Sequence, residues 1–139
     1  MIANLMTQIY YLDKLMTKQT SIFVYGSNLA GRHGKGAALH AYRTKGAVYG
    51  KGIGLNGESY GIPTKNEALE TLSLSRIEKY VDTFIRFAKL NPEMHFEVTR
   101  IGCGLAGYTD DDIAPMFKDA PMHVTLPAGW RNHKKQSHD

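Results

Sequence analysis

The sequence predicts an α/β domain built on a mainly parallel sheet, and three observations lead there. Short apolar runs alternate with helical patterns along the chain. Two glycine-rich loops each follow an apolar run and open a helical stretch. Right-handed crossovers then bring both loops to the C-terminal edge of the sheet, the rim where open α/β sheets take their ligands.

The elements follow in order. Met1 to Met16 alternates apolar and polar residues. Two readings stand side by side: a short helix docking Leu5, Ile9, Leu12 and Leu15, or an upstream extension with the natural start at Met16. Neither a basic leader nor a small-residue cleavage site marks it as a signal peptide. Ser21-Ile22-Phe23-Val24 has the size of a buried strand. A loop from Tyr25 to Gly36 follows, and Ala37 to Tyr42 opens a helix. Gly46 to Gly50 is a short strand candidate. Lys51 to Gly57 is hairpin-like, with Asn56-Gly57 as its turn. Ser59-Tyr60-Gly61-Ile62 reads as a strand stopping at Pro63, and Asn66 to Leu72 as a loop or helical lead-in.

The strongest helix signal comes next. Leu74, Ile77, Val81, Phe84, Ile85 and Ala88 recur at three and four residues; Ser73 or Ser75 caps the start and Asn91-Pro92 ends it. Phe96 to Ile101 is a strand that enters the second glycine loop, Gly102 to Tyr108. Asp110, Asp111 and Asp112 open a short helix reaching Met116 and Phe117. His123 to Leu126 is the last strand, closed by Pro127. From Arg131 on the chain is polar and expected to fray. The whole reads as one domain over 1–139: an extension at 1–17, a core at 18–128 and a flexible basic tail at 129–139.

Composition narrows the function classes. With 139 residues, 42% hydrophobic and 22% charged, the chain can bury one proper core. Its net charge of +4 includes Arg131, Lys134 and Lys135 near the C-terminus, so the body is closer to neutral. That suits an anionic ligand better than a nucleic-acid groove. One cysteine excludes an internal disulfide framework and fits a reducing, cytoplasmic setting. No run is apolar for the roughly 18 residues a membrane span needs, and no zinc spacing or cofactor motif is present, so neither metal nor cofactor is expected.

The first loop carries the chemistry. Four glycines between Gly26 and Gly36 let the backbone approach a ligand, and the helix start that follows suits a phosphate. It lacks the Walker and the dinucleotide-fold fingerprints. A sharp turn with no ligand is the bland alternative. Gly26, Ser27, Asn28, His33, Gly34, Lys35 and Gly36 are candidates here, and Thr64 and Lys65 after the third strand signal. The second loop adds Gly102, Cys103, Gly104, Leu105, Ala106, Gly107 and Tyr108. Two amide-lined loops facing each other suit a diphosphate. Each polar candidate has a plainer role: His33 and Lys35 as solvated surface, Cys103 as a small apolar filler, Tyr108 as packing, and Asp110 to Asp112 as a helix first turn.

These residues resemble a known family. Asn28 to Leu39 resembles the NxxGxxGKGxAL segment of macro domains, in particular the branch of DNA ADP-ribosylglycohydrolase antitoxins. Ile62-Pro63-Thr64-Lys65 resembles that branch's PTK segment, with the Ser75-Arg76-Ile77 helix after it. Ile101 to Tyr108 resembles its IGCG loop. The likeness covers 21–127, and the compact form is also similar to macro-like proteins of bacteriophages, which implies a host cytoplasm. It implies a three-layer α/β/α macro-like domain, with a mixed, mainly parallel sheet, that binds ADP-ribose or a related NAD-derived nucleotide. Asn28 would meet the distal ribose, Gly34 and Gly36 one phosphate loop, and Gly102 to Gly107 the other; Tyr108 would stack.

Two alternatives stand beside this reading, only the first of them implied by the resemblance. One is an ADP-ribosyl hydrolase freeing ADP-ribose from protein or nucleic acid, with Asn28 and Lys45 as catalytic candidates. The family's lysine stretch reads Ala41-Tyr42-Arg43-Thr44-Lys45 here, and Ala106 stands where some relatives have an aspartate. Arg43 stays protonated and is no nucleophile. The other, an RNA or single-strand binder, lacks the aromatic-basic stripe such proteins use.

Overall fold

A computed structural model describes residues 4–9 and 20–133 of the chain. After a helical segment α1 (4–9) come β1 (Ser21–Asn28), α2 (Gly36–Thr44), β2 (Gly54–Asn56), β3 (Ser59–Lys65), α3 (Leu74–Leu90), β4 (His95–Val98), α4 (Asp110–Ile113) with a 3₁₀ turn (Ala114–Phe117), and β5 (Val124–Thr125). The five strands form one sheet in the order β2-β3-β1-β4-β5. β1 pairs parallel with β3 and β4, and β4 with β5; only the β2–β3 hairpin is antiparallel. The sheet is mixed and mainly parallel.

Strand β1 sits at the centre because both its faces are apolar, as a strand covered on two sides requires. Ile22 and Val24 join a large core under α3, whereas Phe23 and Tyr25 pack on Ala38 and Ala41 of α2. The result is three layers, with α2 on one face and α3, α4 and the 3₁₀ turn on the other. Helix α3 buries Ile77, Val81, Phe84, Ile85 and Ala88. Ser73 caps it by accepting from the Arg76 N–H. Phe84 meets Tyr60 and Phe96 edge-on, at centroid distances of 5.0 and 5.4 Å. Truncating it to alanine would cost about 3–5 kcal/mol.

Several elements differ from the sequence expectation. β1 runs on through Gly26, Ser27 and Asn28, because β3 continues beside it to Lys65. Pro63 does not stop β3: it lies beyond Gly61, the last residue paired with β2, so its missing N–H breaks no β2 bond. Gly46 to Gly50 is no strand but a turn whose Gly50 N–H donates to the Gly31 carbonyl. β4 ends at Val98, where Thr99 turns its N–H and hydroxyl onto the Val24 carbonyl.

Both ends of the domain differ as well. Leu5 and Ile9 are 58% and 51% exposed, against the docking reading; Leu12 and Leu15 lie outside the described residues. The expected flexible tail is anchored as far as it is described. Trp130 is buried and its indole N–H donates to Asp110 at 3.0 Å. Arg131 donates to the carbonyls of Ala120, Pro121 and Val124, and His133 meets Asp111 at 2.6 Å. Residues 134–139 lie outside the description.

Candidate functional site

At the C-terminal rim of β1, β3 and β4 opens a cleft of about 530 Å³. The central strands end here, and each delivers a loop: β1 the first glycine loop, β3 the segment 66–72, β4 the second glycine loop. Asn28 and Gly104 line the same hollow. The loops also come close, since Leu105 Cδ1 lies 4.0 Å from where a Cβ on Gly36 would sit.

The first loop is held by its own polar groups. Asn28 closes it reciprocally: its Nδ2 donates to the Arg32 carbonyl at 2.9 Å, and its Oδ1 accepts from the Arg32 N–H at 3.0 Å. Beneath, Ser27 donates to the Gly52 carbonyl. Gly31 takes φ +70°, and a Cβ there would meet the Gly50 backbone at 2.2 Å. The loop thus rides directly on the 50–52 turn, and only glycine fits.

The loop ends at α2, whose N-cap residue Lys35 makes no side-chain cap and whose first turn has no acid. Among the described residues the N–H groups of Gly36, Ala37 and Ala38 meet no acceptor, and all three residues line the cleft. Opposite, the N–H groups of Gly102, Gly104, Leu105 and Ala106 are likewise without an internal acceptor. Such donors at a helix start and in a turn are what an anion needs.

Charge agrees. Arg32, Lys35, Lys65 and Arg100 line the cleft, and no described lining residue is a carboxylate. Arg100 forks onto Asp110, with both nitrogens 2.9–3.1 Å from its oxygens. Asp110 also accepts from Trp130; Trp130 and Arg100 hold its carboxyl below the usual range, and Asp110 in turn raises the arginine. Leu69, on the cleft wall, sits at φ +63°, held there by Asn66 Oδ1 accepting from the Ala68 and Glu70 N–H groups. A non-glycine residue in that region costs about 1–3 kcal/mol.

Of the residues singled out by sequence, Gly26, Ser27, Asn28, Gly34, Lys35, Gly36, Thr64, Lys65, Gly102, Gly104, Leu105 and Ala106 come together in the cleft. Five others do not. His33 turns inward, 3% exposed, with its Nε2 3.0 Å from the Tyr25 hydroxyl. Cys103 points at Asp110 and the Ile101 carbonyl; burial and the nearby carboxylate push its thiol up to about 11, so it is no nucleophile. Tyr108 donates to the Leu72 carbonyl at 2.6 Å, bracing the second loop rather than stacking in the cleft. Gly107 is outside the lining, and Lys45 is the C-cap of α2, at the far end of that helix from the cleft.

Arg32, Leu69, Thr99 and Arg100 are lining residues that sequence reasoning passed over. Arg32 lay inside the quoted motif, and its charge was the available signal. No group of three metal-ligating side chains stands together among the described residues.

Solved structures of similar fold exist. A macrodomain protein from Streptomyces coelicolor superposes with a TM-score of 0.53 at 18% identity, over 82% of this chain and 93% of that one. The fold is macro-like. Two proteins from Bacteroides thetaiotaomicron, one described as of unknown function, match at TM-scores of 0.55 and 0.53 with 16% and 19% identity, again over 82% of this chain and more than nine-tenths of theirs. Neither a family model nor a curated protein matches the sequence. At these identities the macro-like likeness is one of fold; what the cleft holds rests on its own residues.

Proposed function

We propose that the cleft binds ADP-ribose or a related NAD-derived nucleotide, its diphosphate held between the two glycine loops. One observation carries this: amides without internal acceptors belong to residues of α2 and of the second glycine loop that line one cleft, together with Arg32, Lys35, Lys65 and the Asp110-paired Arg100 and no described carboxylate. The helix start of α2 would contribute up to about 2 kcal/mol toward an anion held there. Arg32, Lys35 and Lys65 would steer it in from solvent. A macro-like fold adds weight to the choice of nucleotide.

The proposal stops at binding, whether the ADP-ribose is free or attached to a protein or nucleic acid. Hydrolysis would need a base or nucleophile at the ribose. Lys45 is outside the cleft, and Ala106 is inside it where a carboxylate could serve.

Calorimetry with ADP-ribose, ADP, AMP and NAD at pH 7.5 is the test. Binding of ADP-ribose that weakens on Gly36→Val or Lys35→Ala is the expected result. No heat with millimolar ADP-ribose, or binding untouched by both changes, would remove the proposal. An oligonucleotide affinity falling steeply with salt would favour the nucleic-acid reading instead.

A further inference from the structure

His33 is a buried ionisable group that the cleft does not use. It stands between Arg32 and Gly34, both lining residues, yet its ring turns the other way. There it lies under two exposed tyrosines, Tyr42 of α2 and Tyr49 of the 46–50 turn, at centroid distances of 6.0 and 6.2 Å. Its Nε2 meets the Tyr25 hydroxyl of β1, and its buried Nδ1 has no hydrogen-bond partner among the described residues. So one side chain ties the first glycine loop to the central strand, to α2 and to the neighbouring turn.

We propose that His33 is a positioning residue for the first glycine loop, competent only as the neutral imidazole, so that acid loosens the loop and weakens ligand binding. The inference rests on the proposed nucleotide site.

The surroundings explain why the ring must be neutral. The groups facing it are the Tyr25, Tyr42 and Tyr49 phenols, and the charges nearest along its own loop and the packed turn are Arg32, Lys35 and Lys51, all cationic. From Ser21 to Gly57 the sequence has no acidic residue. Tyr25 is pushed by burial to about 12, so it remains a phenol and cannot supply a counter-charge. An imidazolium would need acceptors on both nitrogens, and an unpaired buried charge is costly. Burial accordingly lowers the His33 pKa, against a weaker raising influence of the Gly31 backbone, which falls outside hydrogen-bond geometry with Nδ1.

The direction follows from linkage. A base whose folded pKa is depressed supports the ordered loop above its ordinary value, about 6.5, and that support is lost as pH falls toward the depressed value. Over the same range the doubly esterified diphosphate of ADP-ribose and the lysine and arginine side chains keep their charges. A simple Coulomb effect of protonating His33 would strengthen anion binding, so the sign of the pH dependence separates the two.

ADP-ribose affinity should be measured by calorimetry from pH 8 to pH 5 on the full chain and on His33→Gln, which can still bond Tyr25 but does not titrate. Expected is a loss that sets in as pH falls through the depressed His33 value of the free chain, approaching but not exceeding tenfold per pH unit for one linked proton, and a flattened profile in the variant. A wild-type affinity that is constant or rises on acidification overturns the inference, as does an unchanged slope in His33→Gln. Should that variant fail to fold, NMR titration of the labelled imidazole decides. Titration below the ordinary value, lowered further by ADP-ribose, supports it; titration at or above 6.5 sinks it. Absence of ADP-ribose binding at pH 8 would instead count against the nucleotide site itself.

Discussion

The two glycine loops face the same cleft but are held in place differently. The first is pinned along its length: Asn28 grips Arg32, Gly31 lies on the 50–51 backbone, and His33 is sunk among tyrosines. The second is held at its root by the Tyr108 bond to Leu72 and by Gly102 against Ile113, and further out by one bond from the Thr71 hydroxyl to the Ala106 carbonyl at 3.2 Å, while its tip carries Leu105 at 68% exposure. A backbone that a ligand must meet without rearrangement gains from the first arrangement. A tip that must part and close over the ligand gains from the second, because loosely packed loops open at little cost. The first loop is the more heavily braced of the two.

The comparison is broken most directly at Gly52. A Cβ there would lie 1.9 Å from the Asn28 carbonyl oxygen, in the backbone under the first loop. Gly52→Ala should cost about 3 kcal/mol or more, since neither backbone can yield. Urea denaturation checks this, and near-native stability would show the first loop to be far softer than described. Gly102→Ala, at φ +76° with Ile113 Cδ1 3.1 Å away, meets a side chain that can move. About 1–2 kcal/mol is expected by the same measurement.

Acid should separate the loops again. Asp110, held low by Trp130 and Arg100 beside the second loop, contributes stability above about pH 4 that is lost as pH falls through its depressed value. Trp130 is the single tryptophan of the sequence, so its emission reports on that brace. It should stay constant between pH 7 and pH 5, where the His33 side of the cleft already responds. A shift at pH 6 would put both loops under one control. The smallest effect is expected for Leu105→Ala: stability within about 0.5 kcal/mol of wild type, and a few-fold faster release of ADP-ribose in stopped flow. An unchanged release rate would show that the Leu105 side chain does not retain the ligand.

Much of this was legible in the chain. The 3–4 spacing through α3 and the Ser73 cap are local signals with the expected structure. The hairpin forms too, but its turn is Gly57-Glu58, one residue later than expected, with Asn56 in β2 paired to Ser59. The mixed, mainly parallel sheet followed from element order. Pro63 misled because its cost depends on which neighbour strand lies alongside. Gly46 to Gly50 misled because an apolar run can equally floor a turn. Trp130 and Arg131 were taken for tail, since polarity on its own does not show that Asp110 and three carbonyls wait for them.

By itself the sequence determined where the chain turns, caps and bends tightly, because those choices depend on residues within a few positions of one another. It also determined that two glycine loops follow strands, and so must share a rim. Only the tertiary structure decided which side chains of those loops face the cleft and which face the core. His33 and Gly34 are neighbours in the chain, yet one is buried against Tyr25 and the other lines the cleft. Direction of that kind is set by what packs on each side of the backbone, and those partners come from residues far along the chain.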